Sequence, residues 1–327
     1  MSDPILSLDR VVKRYAGHTA VRELSFDVPR GGIFGLLGPN GAGKTTTIRM
    51  IMHITVPDAG RITLFGEPAS RALAPRVGYL PEERGLYPKM GVLEQLVFLG
   101  ETRGLAAREA RRRAAGWLER VGLADWTGRK VQDLSKGMQQ KVQFVGALLH
   151  DPELVVLDEP FSGLDPVNSQ VMKDVVVDLA REGRTVVFST HIMEQAERMC
   201  DRVVIIARGE KVVDGRLADV KREGGGRHVA LVFRQGRERA AAVLADRTLV
   251  ARADDYGASA EVELAPAGDP DRLLRALVEA GVGLARFEVV EPSLQSIFIA
   301  RVGAGAAVAP ASEDGRSAAH AREAAHA

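Results

Sequence analysis

Gly38-Pro39-Asn40-Gly41-Ala42-Gly43-Lys44-Thr45 fits the pattern G-x-x-x-x-G-K-[ST], and the residue types in it suit a polyphosphate. Glycines at 38, 41 and 43 let successive backbone N–H groups face one concavity, and a helix N-terminus behind them adds a favourable dipole. Lys44 supplies a cation for the β- and γ-phosphates, and the Thr45 hydroxyl supplies a ligand for Mg²⁺. The whole stretch, Gly38, Pro39, Asn40, Gly41, Ala42, Gly43, Lys44, Thr45 and Thr46, is therefore expected to hold a nucleotide.

A second centre lies in Leu154-Val155-Val156-Leu157-Asp158-Glu159, an apolar run that ends in two carboxylates. Asp158, at the end of the expected strand, is placed to hold the Mg²⁺ shell. Glu159, one residue further, can polarise an attacking water and is the candidate general base. Such a pair also occurs at helix caps and in exposed loops; its weight comes from sharing a chain with the phosphate loop.

These residues need a scaffold that brings strand ends and a helix start together. Short β-branched runs at Ile33–Leu37, Arg61–Phe65, Val77–Leu80, Leu154–Asp158, Thr185–Ser189 and Arg202–Ala207 alternate with helical patterns, which predicts an α/β domain with a mostly parallel sheet. Helix-forming composition replaces this rhythm between Tyr87 and Leu149, with helices expected over 93–103, 107–121 and 137–149. We read residues 84–149 as an inserted helical subdomain of a domain spanning 1–222. The glycine-rich run 223–227 marks a boundary. Beyond it, 223–302 reads as strand, helix, two strands, helix, strand, the order of a small ferredoxin-like α+β domain. Residues 303–327 are Ala-rich with few large apolar side chains, and are expected to be disordered.

The chain has 327 residues, with Lys+Arg 44 against Asp+Glu 43 and a formal net charge of +1. No global field draws it to nucleic acid or an anionic membrane, and no nucleic-acid partner is expected. The basic run Arg108–Arg113 reads as the solvated face of a helix. Cys200 is the only cysteine, which excludes an internal disulfide; a buried small apolar side chain is expected there. The N-terminal residues lack the pattern of a secretory signal, and no apolar run approaches the roughly 20 residues of a spanning helix. Any membrane would be spanned by another polypeptide.

Leu134-Ser135-Lys136-Gly137-Met138-Gln139-Gln140-Lys141, just upstream of the Asp158-Glu159 pair, is what generic phosphate-loop enzymes lack. With the other two motifs it makes residues from about Ile5 to Asp219 resemble the ATP-binding cassette (ABC) ATPases, a P-loop NTPase family whose signature is written LSGGQ. YLPEERGLYPKM, LSKGMQQK and the ending EPSLQSIFI resemble an exporter-type subgroup similar to the sodium-extrusion ATPase, with an accessory C-terminal domain.

The resemblance implies ATP and Mg²⁺ as cofactors and a dimer, homo- or heteromeric, closing on two Mg·ATP. It also implies a separate integral membrane permease subunit, export, and a cytoplasmic location on the inner face of the cell membrane. It places Tyr15 on the adenine, Ser135 and Gly137 on the γ-phosphate of the partner's ATP, Asp165 of Ser162-Gly163-Leu164-Asp165 in the loop that links the two sites, and His191 on the γ-phosphate. Ser135 is also a good cap for its own helix. Two departures stand out. Glu82 replaces the usual glutamine, keeping a hard oxygen for Mg²⁺ but adding negative charge beside a polyphosphate. Lys136 and Met138 replace the signature's glycine and glutamine. The alternative reading is a cassette ATPase acting on nucleic acid or the ribosome.

Overall fold

The computed structural model describes residues 3–83, 85–223 and 228–303. It divides into two units, one reaching Asp214 and resuming at Arg301, the other running from Gly215 to Ala300. The expectations for residue 84, the glycine run 224–227 and the tail 304–327 lie outside the described residues.

The first unit opens with β1 (Leu6–Tyr15) and β2 (His18–Val28), followed by β3 (Gly32–Leu37), α1 (Lys44–Ile51), β4 (Ala59–Leu64) and the short β5 (Glu67–Pro68). β2, β1, β4 and β5 form one antiparallel sheet in that order. The segment Arg61–Phe65, read from the sequence with the parallel strands, thus belongs to a separate sheet. In β1 the alternation of apolar and polar residues is broken by bulges between Leu8 and Val11, where Arg10 adopts φ 46°. A bulge adds one residue to the period and hides the pattern.

The second sheet carries the chemistry. β6 (Val77–Leu80), β7 (Leu154–Asp158), β8 (Thr185–Thr190), β3 and β9 (Arg202–Ala207) are parallel, and β10 (Glu210–Arg216) sits beside β9 at the edge. Every residue of β7 and β8 is buried, as expected of parallel strands covered on both faces. One core joins Leu6, Leu8 and Phe26 of the antiparallel sheet to Phe34, Val156, Val187 and Val204 of the parallel one. The Phe26 and Phe34 rings stack at 5.6 Å.

Between β6 and β7 come α2 (Val92–Thr102), α3 (Ala107–Arg120) and α4 (Lys136–Leu148), each within one residue of the helix expected at its place. Val92, Leu96, Leu118, Val142 and Val145 form their own core, so these helices pack as a layer with its own interior. Arg108, Arg111 and Arg112 of α3 are exposed. Glu109 bonds both Arg112 and Arg113, which holds its carboxyl down to about 2. After β7, α5 (Pro166–Arg181) and α6 (Met193–Met199) flank β8. Cys200 is buried, and burial pushes its thiol well up from the ordinary value.

The second unit contains α7 (Leu217–Glu223), β11 (His228–Gln235), α8 (Arg237–Leu244), β12 (Val250–Asp255), β13 (Ser259–Leu264), α9 (Pro270–Glu279) and β14 (Gly283–Val290); α10 (Leu294–Val302) follows. The sheet order β12-β13-β11-β14, antiparallel throughout, is the split βαβ arrangement of a ferredoxin-like fold. Val229, Leu231 and Val262 meet Leu273 and Leu277 of α9 in its core.

Candidate functional site

The phosphate loop is built by the end of β3 and the start of α1. Gly38 (φ 151°) and Gly43 (φ 104°) are required there by close approach, because a Cβ would lie 2.2 Å from Ile206 O in the first case and 2.5 Å from Ala20 O in the second. Ala42 packs into the core, and its carbonyl accepts from Gly209 N at 3.0 Å. The loop is thereby pinned to the β9–β10 turn. Lys44 opens α1, and its Nζ donates to Gly38 O (2.8 Å) and Pro39 O (3.2 Å), with Glu159 Oε1 at 3.6 Å. Burial lowers its pKa, and the nearby Glu159 and Asp158 carboxylates oppose that shift.

The carboxylates come from β7, positioned by β8. The parallel register sets Asp158 beside Ser189, whose hydroxyl donates to Asp158 Oδ1 at 2.5 Å and accepts from Glu159 N at 3.0 Å. Asp158 Oδ2 is buried and makes no hydrogen bond. Burial raises this carboxyl's pKa; the hydroxyls of Ser189 and Thr45 pull the other way. Glu159 has φ 47°, a left-handed conformation that costs a non-glycine residue roughly 1–2 kcal/mol. Ser189 holds it there. The Glu159 side chain, 10% exposed, reaches His191 Nδ1 at 3.0 Å.

Tyr15, Asn40, Gly41, Gly43, Lys44, Thr45, Thr46, Glu82 and Glu159 line one cleft of roughly 310 Å³, joined by His18 and Ala20. Tyr15 is 47% exposed, at the cleft's outer end, and Lys13 Nζ lies 5.7 Å from its ring centroid while bonded to Asp58 at 2.9 Å. Glu82 is exposed, and its Oε2 accepts a long bond from Thr45 Oγ1 at 3.5 Å. Gly38 and Pro39 are not among its lining residues; their carbonyls hold Lys44.

Ser135, Gly137 and Asp165 are not among the cleft's lining residues. Ser135 caps α4, accepting from Met138 N at 3.3 Å. Asp165 caps α5, accepting from Val167 N (3.1 Å) and Asn168 N (3.0 Å). These two caps adjoin: a Cβ on Gly137 would stand 3.5 Å from the Asn168 side chain. Both are exposed.

Sequence reading missed Ser189 and His18. Ser189 becomes visible only through the β7–β8 register. His18 pairs with Tyr15 across the β1–β2 turn, in a hairpin whose strands the sequence hides.

The donors suit a magnesium ion. Thr45 offers a hydroxyl, Asp158 an orphaned carboxylate oxygen and Glu82 a further carboxylate, all hard oxygens. No cluster of three or more His, Cys, Asp or Glu forms a metal cage among the described residues.

Residues 21–162 match the family model described as ABC transporter, and residues 215–302 match the model "ATP-binding protein DrrA1-3-like, C-terminal domain". The chain is 41% identical over 306 residues to the uncharacterized ABC transporter ATP-binding protein YhaQ of Bacillus subtilis (strain 168), covering 92% of this chain and 99% of that protein. It belongs to the ABC transporter ATP-binding proteins. The Nod factor export ATP-binding protein I of Ralstonia nicotianae is 43% identical over 219 residues, 66% of this chain and 68% of that one. A solved ATP-binding subunit of an ABC transporter superposes with a TM-score of 0.62 at 32% identity, covering 67% of this chain and 92% of its own. As an ABC ATPase the chain binds and hydrolyses ATP, and of the two readings open in the sequence these relatives carry the transporter one.

Proposed function

We propose that this ABC ATPase hydrolyses ATP at two composite sites in a head-to-tail dimer and so drives export through a separate membrane-spanning subunit. Each cleft holds the nucleotide on the Gly38–Thr46 loop, with adenine against Tyr15. Ser135, Gly137 and Asp165 complete the partner's site; their distance from the cleft of their own chain supports this reading. No helix among the described residues is long and apolar enough to cross a membrane. Together with the relatives' names, this supports a subunit at the cytoplasmic face of the membrane, and the name of the Ralstonia relative supports export.

Thr45, Asp158 and Glu82 would hold Mg²⁺, which when bound offsets the charge of the phosphates. Glu159 accepts the proton of the attacking water. Its carboxylate is held by His191 on one side and Lys44 on the other, which would aim it at the water that attacks the γ-phosphate. His191, exposed beside it, bonds that carboxylate through Nδ1 and would reach the γ-phosphate only in the closed dimer.

The observation that carries the reading is the buried Glu159 carboxylate at the floor of the cleft, 3.6 Å from Lys44 Nζ. Glu159→Gln should lower turnover by about 10²–10⁴-fold while ATP binding persists and an ATP-dependent dimer accumulates in gel filtration. Retained turnover would sink the general-base role; a chain that stays monomeric with ATP would sink the composite site.

A further inference from the structure

Gln143 lies on α4, the helix that Ser135 caps, and is 7% exposed. Its Nε2 donates to Pro81 O (3.3 Å) and Glu83 O (3.0 Å), the carbonyls on either side of Glu82, and its Oε1 is buried without a hydrogen bond. A second buried amide holds the far end of the same segment: Gln95 of α2, fully buried, accepts from Tyr87 N at 2.8 Å. Pro81, Glu83 and Tyr87 are thus each bonded to the helical layer by a glutamine.

Glu82 needs such support. Its carboxylate is exposed and has one long contact, to Thr45 Oγ1. A side chain so placed has several rotamers open to it, and a carboxylate next to polyphosphate is repelled unless a cation lies between them. Fixing the backbone on both sides of Glu82 restricts the directions its carboxylate can take. An apolar residue at 143 would fill the same space without burying an unpaired carbonyl oxygen, so the amide is explained by the two bonds it donates.

We propose that Gln143 is a positioning residue for Glu82, holding its carboxylate toward Thr45 and the metal side of the cleft. It acts through the backbone of Pro81–Glu83 and touches neither nucleotide nor metal. The inference rests on the reading of Glu82 as a metal-side oxygen. It also ties α4 to the chain's own cleft, since Gln140 of the same helix donates to Pro160 O, next to Glu159, at 3.4 Å.

The test uses the full-length protein with adenylyl imidodiphosphate, titrated with Mn²⁺ while free ion is counted by electron paramagnetic resonance. Glu82→Ala and Gln143→Met should each weaken Mn²⁺ binding by about tenfold, the scale seen when a partner behind a metal ligand is lost. The double variant should be no weaker than Glu82→Ala alone. Binding of the analogue in EDTA should be unchanged in Gln143→Met, which shows that it is folded; should it not fold, Gln143→Ala carries the same comparison. Unaltered Mn²⁺ binding in Glu82→Ala would overturn the reading of Glu82 itself. A loss in Glu82→Ala with none in Gln143→Met would overturn the positioning role alone. So would additive losses in the double variant, which mark a general structural effect.

Discussion

His191 Nδ1 stands 3.0 Å from Glu159 Oε1, the same carboxylate oxygen that lies 3.6 Å from Lys44 Nζ. Removing the ring leaves the Glu159 carboxylate held from the Lys44 side only. His191→Ala should lower kcat by about 10²-fold while KM for ATP changes little, because the ring is not among the residues lining the cleft. Steady-state kinetics separates the two. A rise in KM with kcat intact would make His191 a binding residue instead.

Asp158 and Lys44 both weigh against the nucleotide-free fold near neutral pH. The Asp158 carboxyl has its pKa raised above 3.8 by burial, so its contribution favours the fold below that value and is lost as pH rises through its folded pKa. Lys44 is lowered from 10.5 by burial; its contribution is present above 10.5 and is lost as pH falls through its folded pKa. Asp158→Asn should therefore stabilise the protein in EDTA by about 1 kcal/mol, with the gap to wild type opening as pH rises above about 4. It should also abolish the rise in melting temperature that Mg·ATP gives. Thermal unfolding across this range, with and without Mg·ATP, measures both.

Gly38 and Gly41 should differ in what they tolerate. An alanine Cβ at 38 would stand 2.2 Å from Ile206 O, a backbone atom, whereas one at 41 (φ 77°) meets nothing within 4 Å. Gly38→Ala should cost about 3 kcal/mol, as overpacking against a fixed neighbour does. Gly41→Ala should cost only its backbone strain, about 1–2 kcal/mol. Urea unfolding without nucleotide gives the order.

Composite sites can be tested by mixing. Lys44→Ala and Ser135→Ala chains should each be inactive alone. A mixed dimer places an intact Lys44 opposite an intact Ser135 in one of its two clefts, and activity should reappear on mixing. No recovery, with the dimer shown to form, would mean that Ser135 serves its own chain, where its visible partner is Met138 N.

The parallel strands and the helices of the inserted layer were legible because their patterns are uninterrupted: Leu154–Leu157 is wholly apolar, and α2 and α4 keep a continuous buried stripe. β1 and β2 were not, since positive φ at Arg10 and at Glu23 (44°) falls within them and shifts the two-residue period. The phosphate loop and the Asp158-Glu159 pair could be placed from local spacing alone. Ser189 and Gln143 could not, because their partners lie 31 and 62 residues away in the chain and only strand register and helix packing bring them near.

That register has a consequence for what the protein can change. Leu36, Ser189 and Asp158 stand in one row across three strands, and the loops that do the chemistry all leave the sheet just beyond it. The sheet acts as a ruler. Exchanging one branched apolar residue for another in Leu154–Leu157 alters packing but not the point of exit. Losing or gaining a single residue in β3, β7 or β8 moves that exit by about 3.3 Å and turns alternate side chains to the opposite face. For these strands the number of residues is a stricter requirement than their identity.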